Sequence, residues 1–154
     1  WNKIKKFQEG RSDSPSNAGI GLPPLERAYE VQRKAAKLGF DWTDPIPAIA
    51  KVREELAELE EELERTGAIE TPSNAKDDPR IEKELGDLLF SVVNVCRHLK
   101  TDPSVALARS NGVFLDRFAY IEATLNERKV DISDVSLEDL DQLWNEAKQL
   151  ESDR

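Results

Sequence analysis

The sequence predicts an all-α fold, arranged as an antiparallel bundle of about five helices. Apolar residues recur at spacings of three and four along most of the chain, which is the period of an amphipathic helix. Three of these segments open with an Asp-Pro pair, in which Asp serves as the N-cap and Pro takes the first helical position. The connections between the segments are short, and short connections favour antiparallel neighbours.

Each predicted helix has its own start or stop signal. The first helix begins at Pro23-Pro24 and ends with Gly39 as its C-cap. The Asp-Pro helices are predicted over about 45–66, 79–99 and 103–128. Ser136-x-x-Asp139 resembles a capping box with Asp in place of Glu, and it opens the last helix. Residues 1–22 are expected to be irregular, with room for a short turn at Trp1–Phe7, and residues 23–154 to form one domain.

The helix predicted over 79–99 has two distinct sides. Its apolar side is expected to be buried, and the residues on it are Leu85, Leu88, Leu89, Val92, Cys96 and Leu99. Its polar side is a stripe at spacings of three and four, made of Glu84, Asp87, Ser91, Asn94 and His98. A solvated face more often carries Lys and Glu than such short hydrogen-bonding groups, so the stripe favours a site.

Composition excludes several classes of function. A formal charge of −9 speaks against nucleic-acid binding, which depends on Lys and Arg. No stretch approaches the roughly 20 apolar residues of a membrane span. The single Cys96 excludes an intramolecular disulfide and fits a cytoplasmic protein. Because the chain begins at Trp1 and contains no Met, we expect it to be a fragment, and a removed leader stays open.

Two acidic clusters stand out, one in each of two successive helices. Glu54 and Glu55 are followed by Glu58, and Glu84 is followed three residues later by Asp87. Residues three apart share a helix face. Facing carboxylates suit Mg²⁺, which takes a few carboxylate oxygens and keeps other positions for water and phosphate, and Mn²⁺ is the expected substitute. The alternative is that the dense acidic run after Glu54 is only a solvated helix surface.

Other metal sites do not fit this composition. A ferritin-like di-iron site needs two Glu-x-x-His pairs, whereas the one histidine, His98, follows Val95 at that spacing. Zinc is excluded by one Cys and one His, and the spacing of an EF-hand loop is missing. The clusters therefore indicate Mg²⁺-dependent chemistry on a phosphorylated substrate.

Phosphate groups would have to be held by side chains and metal, because the chain lacks a Walker-type glycine-rich loop. The candidate cations are Lys51, Arg80, Arg97, Arg117 and Lys148. For each of them the alternative is a surface ion pair. Trp144 lies four residues before Lys148, so the two share a helix face and suit a base and a phosphate. Alternatively, Trp144 anchors the last helix on the core.

Taken together, these residues resemble the MazG family of nucleoside triphosphate pyrophosphohydrolases over about residues 22–150. The segments that carry the resemblance are Leu38-Gly-Phe-Asp-Trp42, Lys51-Val-Arg-Glu-Glu-Leu-Ala-Glu58, Glu84-Leu-Gly-Asp-Leu-Leu-Phe90, Asn94-Val-Cys-Arg-His-Leu99, Arg117-Phe-Ala-Tyr-Ile-Glu122 and Leu143-Trp-Asn-Glu-Ala-Lys148. The resemblance implies an all-α hydrolase that converts a nucleoside triphosphate and water to the monophosphate and pyrophosphate with Mg²⁺. It also implies a homodimer or larger homo-oligomer, in which a second subunit completes the bundle.

The resemblance assigns roles to particular residues. The implied metal ligands are Glu55, Glu58, Glu84 and Asp87, and the implied nucleotide contacts are Arg80, Arg117, Trp144 and Lys148. The stripe and the cation pattern add Asn94 and Lys51 as candidate substrate contacts. One position departs from the family pattern, which has Lys where this chain has Val113. An altered substrate or weaker nucleotide binding would follow.

We hypothesise that metal-activated water attacks the α-phosphorus while pyrophosphate leaves, with Glu54 or Glu55 as the general base. Removal of aberrant nucleotides from the pool is one role that this chemistry would serve. The alternative is a non-catalytic helical interaction or regulatory module that retains the fold, and the missing Lys at position 113 is its main support.

Overall fold

The computed structural model describes residues 14–153, and these contain five α-helices, three short 3-10 helices and no β-strand. The α-helices are α1 (Pro24–Lys37), α2 (Pro45–Thr66), α3 (Pro79–His98), α4 (Pro103–Glu127) and α5 (Leu137–Ser152). The 3-10 helices are Pro15–Asn17, Pro72–Ala75 and Ile132–Asp134. The predicted all-α class with five helices is confirmed. The turn predicted at Trp1–Phe7 lies outside the described residues.

The helix ends use the capping groups that the sequence predicts. Asp44 accepts a hydrogen bond from the backbone N–H of Ile46 at 2.8 Å, and Ser136 accepts one from Asp139 at 3.1 Å. Each bond satisfies one of the N–H groups that lack a partner in a first turn. At the other end of α1 the C-cap falls one residue earlier than predicted, and Gly39 follows it with φ of +92°. Glycine adopts such a φ without steric strain.

The helices fall into two compact units, Trp1–Ser104 and Val105–Arg154, and each has its own small core. The core of the first unit joins α2, the segment after it and α3, through buried Leu59, Ala68 and Ile81. The core of the second unit joins α4 and α5, through buried Ile121, Leu125 and Leu143. Among the described residues, no helix is long and apolar enough to span a membrane.

Within the first unit, α2 and α3 run antiparallel. Midway along α2, Glu55 lies near Glu84 of α3. Near the end of α2, Arg65 pairs with Asp78, the N-cap of α3, at 3.0 Å. Residues nearer the C-terminus of α2 therefore contact residues nearer the N-terminus of α3. This antiparallel pairing brings the two predicted acidic clusters to the same level.

The predicted burial of the apolar side of α3 holds for Leu88, which packs against the core of the first unit, while Cys96 is half-buried and four other residues are exposed. Leu85, Leu89, Val92 and Leu99 are 45%, 64%, 42% and 56% exposed. The polar stripe is the side that faces inward, since Ser91 is buried. The physical reason is that α1 and α2 pack on the polar side, and the described elements of the first unit leave these four residues exposed. The sequence pattern located both sides of α3 but assigned to the interior four apolar residues that the structure leaves exposed.

Candidate functional site

Three of the four predicted metal ligands converge between α2 and α3. Glu55, Glu58 and Glu84 each offer a carboxylate oxygen, and these oxygens lie within 4.8 Å of one another. Glu55 and Glu58 lie three residues apart on one face of α2, and Glu84 approaches from α3. Glu55 is only 6% exposed, which is unusual for a carboxylate.

The electrostatics of this carboxylate cluster are unfavourable without a cation. Glu55 and Glu84 each have one buried Oε2 atom that forms no hydrogen bond within the described part of the chain. A hydrogen bond to Glu55, followed by the negative charges of Glu55, Glu84 and Glu54, raises the pKa of Glu58 above its usual value. Buried carboxylate oxygens without partners and crowded negative charge are both relieved by a bound cation. The cluster therefore fits a hard divalent metal.

Lys51 is the predicted cation that the structure places against the cluster on the side of α2. Its Nζ lies 3.0 Å from Glu55 Oε1 and 3.1 Å from Glu54 Oε1. These two glutamates raise the pKa of Lys51, with the hydrogen bond to Glu55 as the largest cause. Lys51 therefore remains charged at neutral pH and neutralises part of the cluster.

Asp87, the fourth predicted ligand, is held away from the carboxylate cluster. Its side chain is 41% exposed, and its Oδ2 accepts a hydrogen bond from Lys83 at 2.7 Å. Lys83 also lies 3.5 Å from Glu84 Oε1, so one ammonium group bridges two of the predicted ligands. The hydrogen bond to Asp87 is the main cause that raises the pKa of Lys83. In this arrangement Lys83 neutralises part of the carboxylate charge that would otherwise attract a metal.

A cavity of about 700 Å³ adjoins the carboxylate cluster within the first unit. Lys51, Glu55 and Asp87 line it, together with the predicted substrate contact Asn94. Aromatic and apolar side chains form other parts of the wall, namely Val31, Ala35, Phe40, Trp42 and Phe90. The cavity thus combines charged groups with apolar surface, as small-molecule sites do.

Polar contacts of Asp41 hold the loop after α1 against the end of α3. Asp41 accepts two hydrogen bonds from Arg97, at 2.6 Å and 3.0 Å, and lies 3.0 Å from His98 Nε2. The hydrogen bond from Arg97 is the main reason that the pKa of Asp41 lies below its ordinary value. Trp42 follows in the chain, and its ring lies 6.4 Å from that of His98. This contact positions the aromatic wall of the cavity. Sequence spacing could not reveal it, because the partners are 56 residues apart.

Two of the predicted nucleotide contacts meet in the second unit. Arg117 lies 5.1 Å from the ring centroid of Trp144, at cation–π distance, and its guanidinium pairs with Glu151 at 2.9 Å. Val113 lines a small cavity beside them, and Arg109, one turn earlier, lines it too. A cation therefore remains near the position where the family pattern has Lys.

The other two predicted nucleotide contacts are exposed. Lys148 lies on α5 one turn after Trp144, and Arg80 lies in the first turn of α3, one turn before Glu84. Sequence reasoning missed Gln32, which is buried and lines the large cavity. Gln32 lies at helical spacing among the apolar residues of α1. A polar residue within an apolar stripe was the signal that could have identified it as a candidate site residue.

Comparison with known proteins connects this geometry to one family. The family model described as MazG nucleotide pyrophosphohydrolase domain matches residues 45–118, which include α2, α3 and the carboxylate cluster. The nucleoside triphosphate pyrophosphohydrolase/pyrophosphatase MazG of Thermotoga maritima is 35% identical over 150 residues, covering 96% of this chain and 54% of that protein. The chain belongs to the MazG family.

Two further relatives match this chain. The nucleoside triphosphate pyrophosphohydrolase of Escherichia coli K12 is 33% identical over 156 residues, covering 99% of this chain and 56% of that protein. The uncharacterized protein YabN of Bacillus subtilis is 48% identical over 79 residues, covering 51% of this chain and 16% of that protein. The chain spans about half the length of the Thermotoga maritima and Escherichia coli relatives. The resemblance seen in the sequence is confirmed.

Proposed function

We propose that this MazG chain hydrolyses nucleoside triphosphates to nucleoside monophosphates and pyrophosphate with Mg²⁺, for which Mn²⁺ can substitute. The observation that carries the proposal is the carboxylate cluster, in which Glu55 and Glu84 keep buried oxygens without partners beside a cavity of about 700 Å³. The Thermotoga maritima and Escherichia coli relatives, both named as nucleoside triphosphate pyrophosphohydrolases, support the same activity.

Glu55, Glu58 and Glu84 would hold the metal. Asp87 would join them once Lys83, which pairs with it at 2.7 Å, moves aside. Bound Mg²⁺ supplies Lewis-acid activation of water and neutralises phosphate charge. The all-oxygen donor set favours Mg²⁺ or Mn²⁺ over softer metals.

The residues around the cluster position the triphosphate and move a proton. Lys51 lines the cavity, and its ammonium group would donate to a phosphate oxygen there. Glu54 and Glu55 both contact Lys51, and either carboxylate would accept the proton of the water that attacks the α-phosphorus. Arg80 is a further proposed nucleotide contact of the first unit, and Arg117, Trp144 and Lys148 are proposed nucleotide contacts of the second unit.

We also propose that a second copy of the chain covers the apolar side of α3. Leu85, Leu89 and Val92 recur at spacings of four and three, so they form one exposed apolar stripe. A stripe of this kind on an isolated chain exposes apolar area that association would bury. A homodimer or larger homo-oligomer formed through α3 would bury this stripe and leave the inward carboxylate cluster in place.

The decisive experiment measures pyrophosphate and orthophosphate released from each canonical nucleoside triphosphate and from damaged ones, with Mg²⁺. We expect pyrophosphate from at least one substrate, and at least about 100-fold less from Glu84→Gln, whose carboxylate would hold the metal. Glu82→Gln is the matched control, because Glu82 is exposed on the same helix as Glu84.

Release of orthophosphate, or of no phosphate product from any substrate, would contradict the proposal. A melting temperature that responds to neither Mg²⁺ nor nucleotide would then favour the non-catalytic interaction module.

A further inference from the structure

One buried amide in the large cavity has an oxygen without a partner. Gln32 on α1 is 8% exposed and lines the cavity. Its Nε2 donates a hydrogen bond to the backbone carbonyl oxygen of Phe90 at 2.9 Å. Only the amide nitrogen can donate to a carbonyl, so this bond fixes which atom is which. Oε1 is therefore the other atom, and it is buried without a hydrogen-bond partner among the residues that the structure describes. It is an acceptor in need of an N–H or O–H donor.

Asn94 has the complementary arrangement. Its Oδ1 accepts hydrogen bonds from Arg97 Nε at 3.1 Å and from Arg97 Nη2 at 2.8 Å. The oxygen is thus occupied, and the amide nitrogen is the group left to donate. Asn94 lines the same cavity and lies one helical turn after Phe90, to which Gln32 is bonded. An acceptor and a donor therefore stand near each other on one wall.

The rest of the cavity suits a nucleotide. Phe40, Trp42 and Phe90 supply aromatic surface, against which a flat heterocycle can stack. Lys51 and Glu55 lie in the same cavity, where the proposed function places metal and phosphates. The paired acceptor and donor would then meet the hydrogen-bonding edge of the base.

We propose that Gln32 and Asn94 select a nucleotide whose base bears an exocyclic amino group, as adenine and cytosine do; this inference rests on the proposed function. The amino group donates to Gln32 Oε1, and the neighbouring ring nitrogen accepts from the Asn94 amide. In hypoxanthine and uracil a carbonyl oxygen replaces the amino group, so it would face Gln32 Oε1 with no hydrogen between them. A site built to bond one polar group rejects the analogue that lacks it.

The test uses nucleosides, which need neither metal nor hydrolysis. Binding of adenosine is compared with inosine, and of cytidine with uridine, by isothermal titration of the full chain. In at least one pair we expect the amino-bearing member to bind about tenfold more tightly, and Gln32→Leu to reduce that ratio to about one. Gln142→Leu, at an exposed position on α5, is the matched control and should keep the ratio of the native chain.

A second variant keeps the test decisive if Gln32→Leu does not fold. Asn94→Asp retains an oxygen for Arg97 but loses the donor, so binding of the amino-bearing nucleoside should weaken about tenfold. Equal affinity within both pairs for the native chain, or no nucleoside binding at millimolar concentration, would overturn the inference. So would an unchanged ratio in Gln32→Leu, or unchanged affinity in a folded Asn94→Asp variant.

The two proposals fail in different ways. If nucleosides are discriminated but no triphosphate releases pyrophosphate, base selection survives and the proposed hydrolase activity does not. If pyrophosphate is released at equal rates from both members of each pair and neither is preferred in binding, the hydrolase activity survives and base selection does not.

Discussion

Glu55 and Glu84 lie on different helices, yet each directs a carboxylate oxygen into the same cluster, and each keeps one buried oxygen without a hydrogen-bond partner in residues 14–153. Unpartnered buried charge destabilises a folded chain. The fold retains this arrangement because the α2–α3 pairing and its apolar core hold both helices in register. The same two residues should therefore decide both the stability of the metal-free chain and its response to a divalent cation.

Neutralising one of these carboxylates should separate the two effects. Without metal, Glu84→Gln should melt at a higher temperature than the native chain, because the substitution removes a repelling charge. With Mg²⁺ at about 100 times its dissociation constant, the native chain should gain about 2.7 kcal/mol, and the variant much less. Thermal melts with and without Mg²⁺ measure both effects. Equal Mg²⁺ responses in the native chain and in Glu84→Gln would show that the ion binds elsewhere.

Lys83 should compete with the metal. Lys83→Gln frees Asp87 and removes a positive charge beside Glu84, so Mn²⁺ should bind up to about fivefold more tightly. Titration followed by the electron paramagnetic resonance of free Mn²⁺ measures this affinity. Lys76→Gln, at an exposed position before α3, is the control for the change in net charge. Matching affinities in the two variants would contradict the role of Lys83.

Asp41 should make stability depend on acid pH. Its pKa is held below the ordinary value of 3.8, mainly by the hydrogen bond from Arg97. The contribution of a carboxyl group with a lowered pKa is present above the ordinary value and is lost as pH falls through the lowered one. Asp41→Asn should therefore cost about 1 kcal/mol at neutral pH and much less at strongly acidic pH.

Urea denaturation across this pH range measures the Asp41 effect. Asp116→Asn, at an exposed position on α4, serves as the control and should change stability little at either pH. A loss in Asp41→Asn that stays constant down to strongly acidic pH would show that the ion pair with Arg97 is not its cause.

The exposed stripe of α3 should control assembly. Leu89→Glu places a charge at a residue that is 64% exposed in the single chain, so the fold should survive while self-association is lost. Ile69→Glu, at a residue that is 63% exposed after α2, is the matched control and should leave assembly unchanged. Light scattering coupled to size-exclusion chromatography reports the mass of each. A monomeric native chain would rule out the proposed second copy.

Local chemistry explains which predictions succeed. Asp44-Pro45 and Ser136 mark helix starts because a cap acts through neighbouring backbone groups, within a few residues of the chain. The spacing of Glu55 and Glu58 likewise places both on one helix face without knowledge of any other element. Lys83 shows the limit of such reasoning, since its ammonium group holds Asp87 apart from the cluster that spacing predicts.

The sequence by itself determined the five helices, their capped starts and the two acidic faces, since each depends on residues within a turn or two of one another. Only the tertiary structure decided that the polar side of α3 turns inward and that Asp41 pairs with Arg97. It also decided that the Oε1 atom of Gln32 is a buried hydrogen-bond acceptor in the cavity. These features depend on which helix covers which face. Burial and the loss of water as a hydrogen-bond partner are properties of packed elements, and spacing along one element does not encode them.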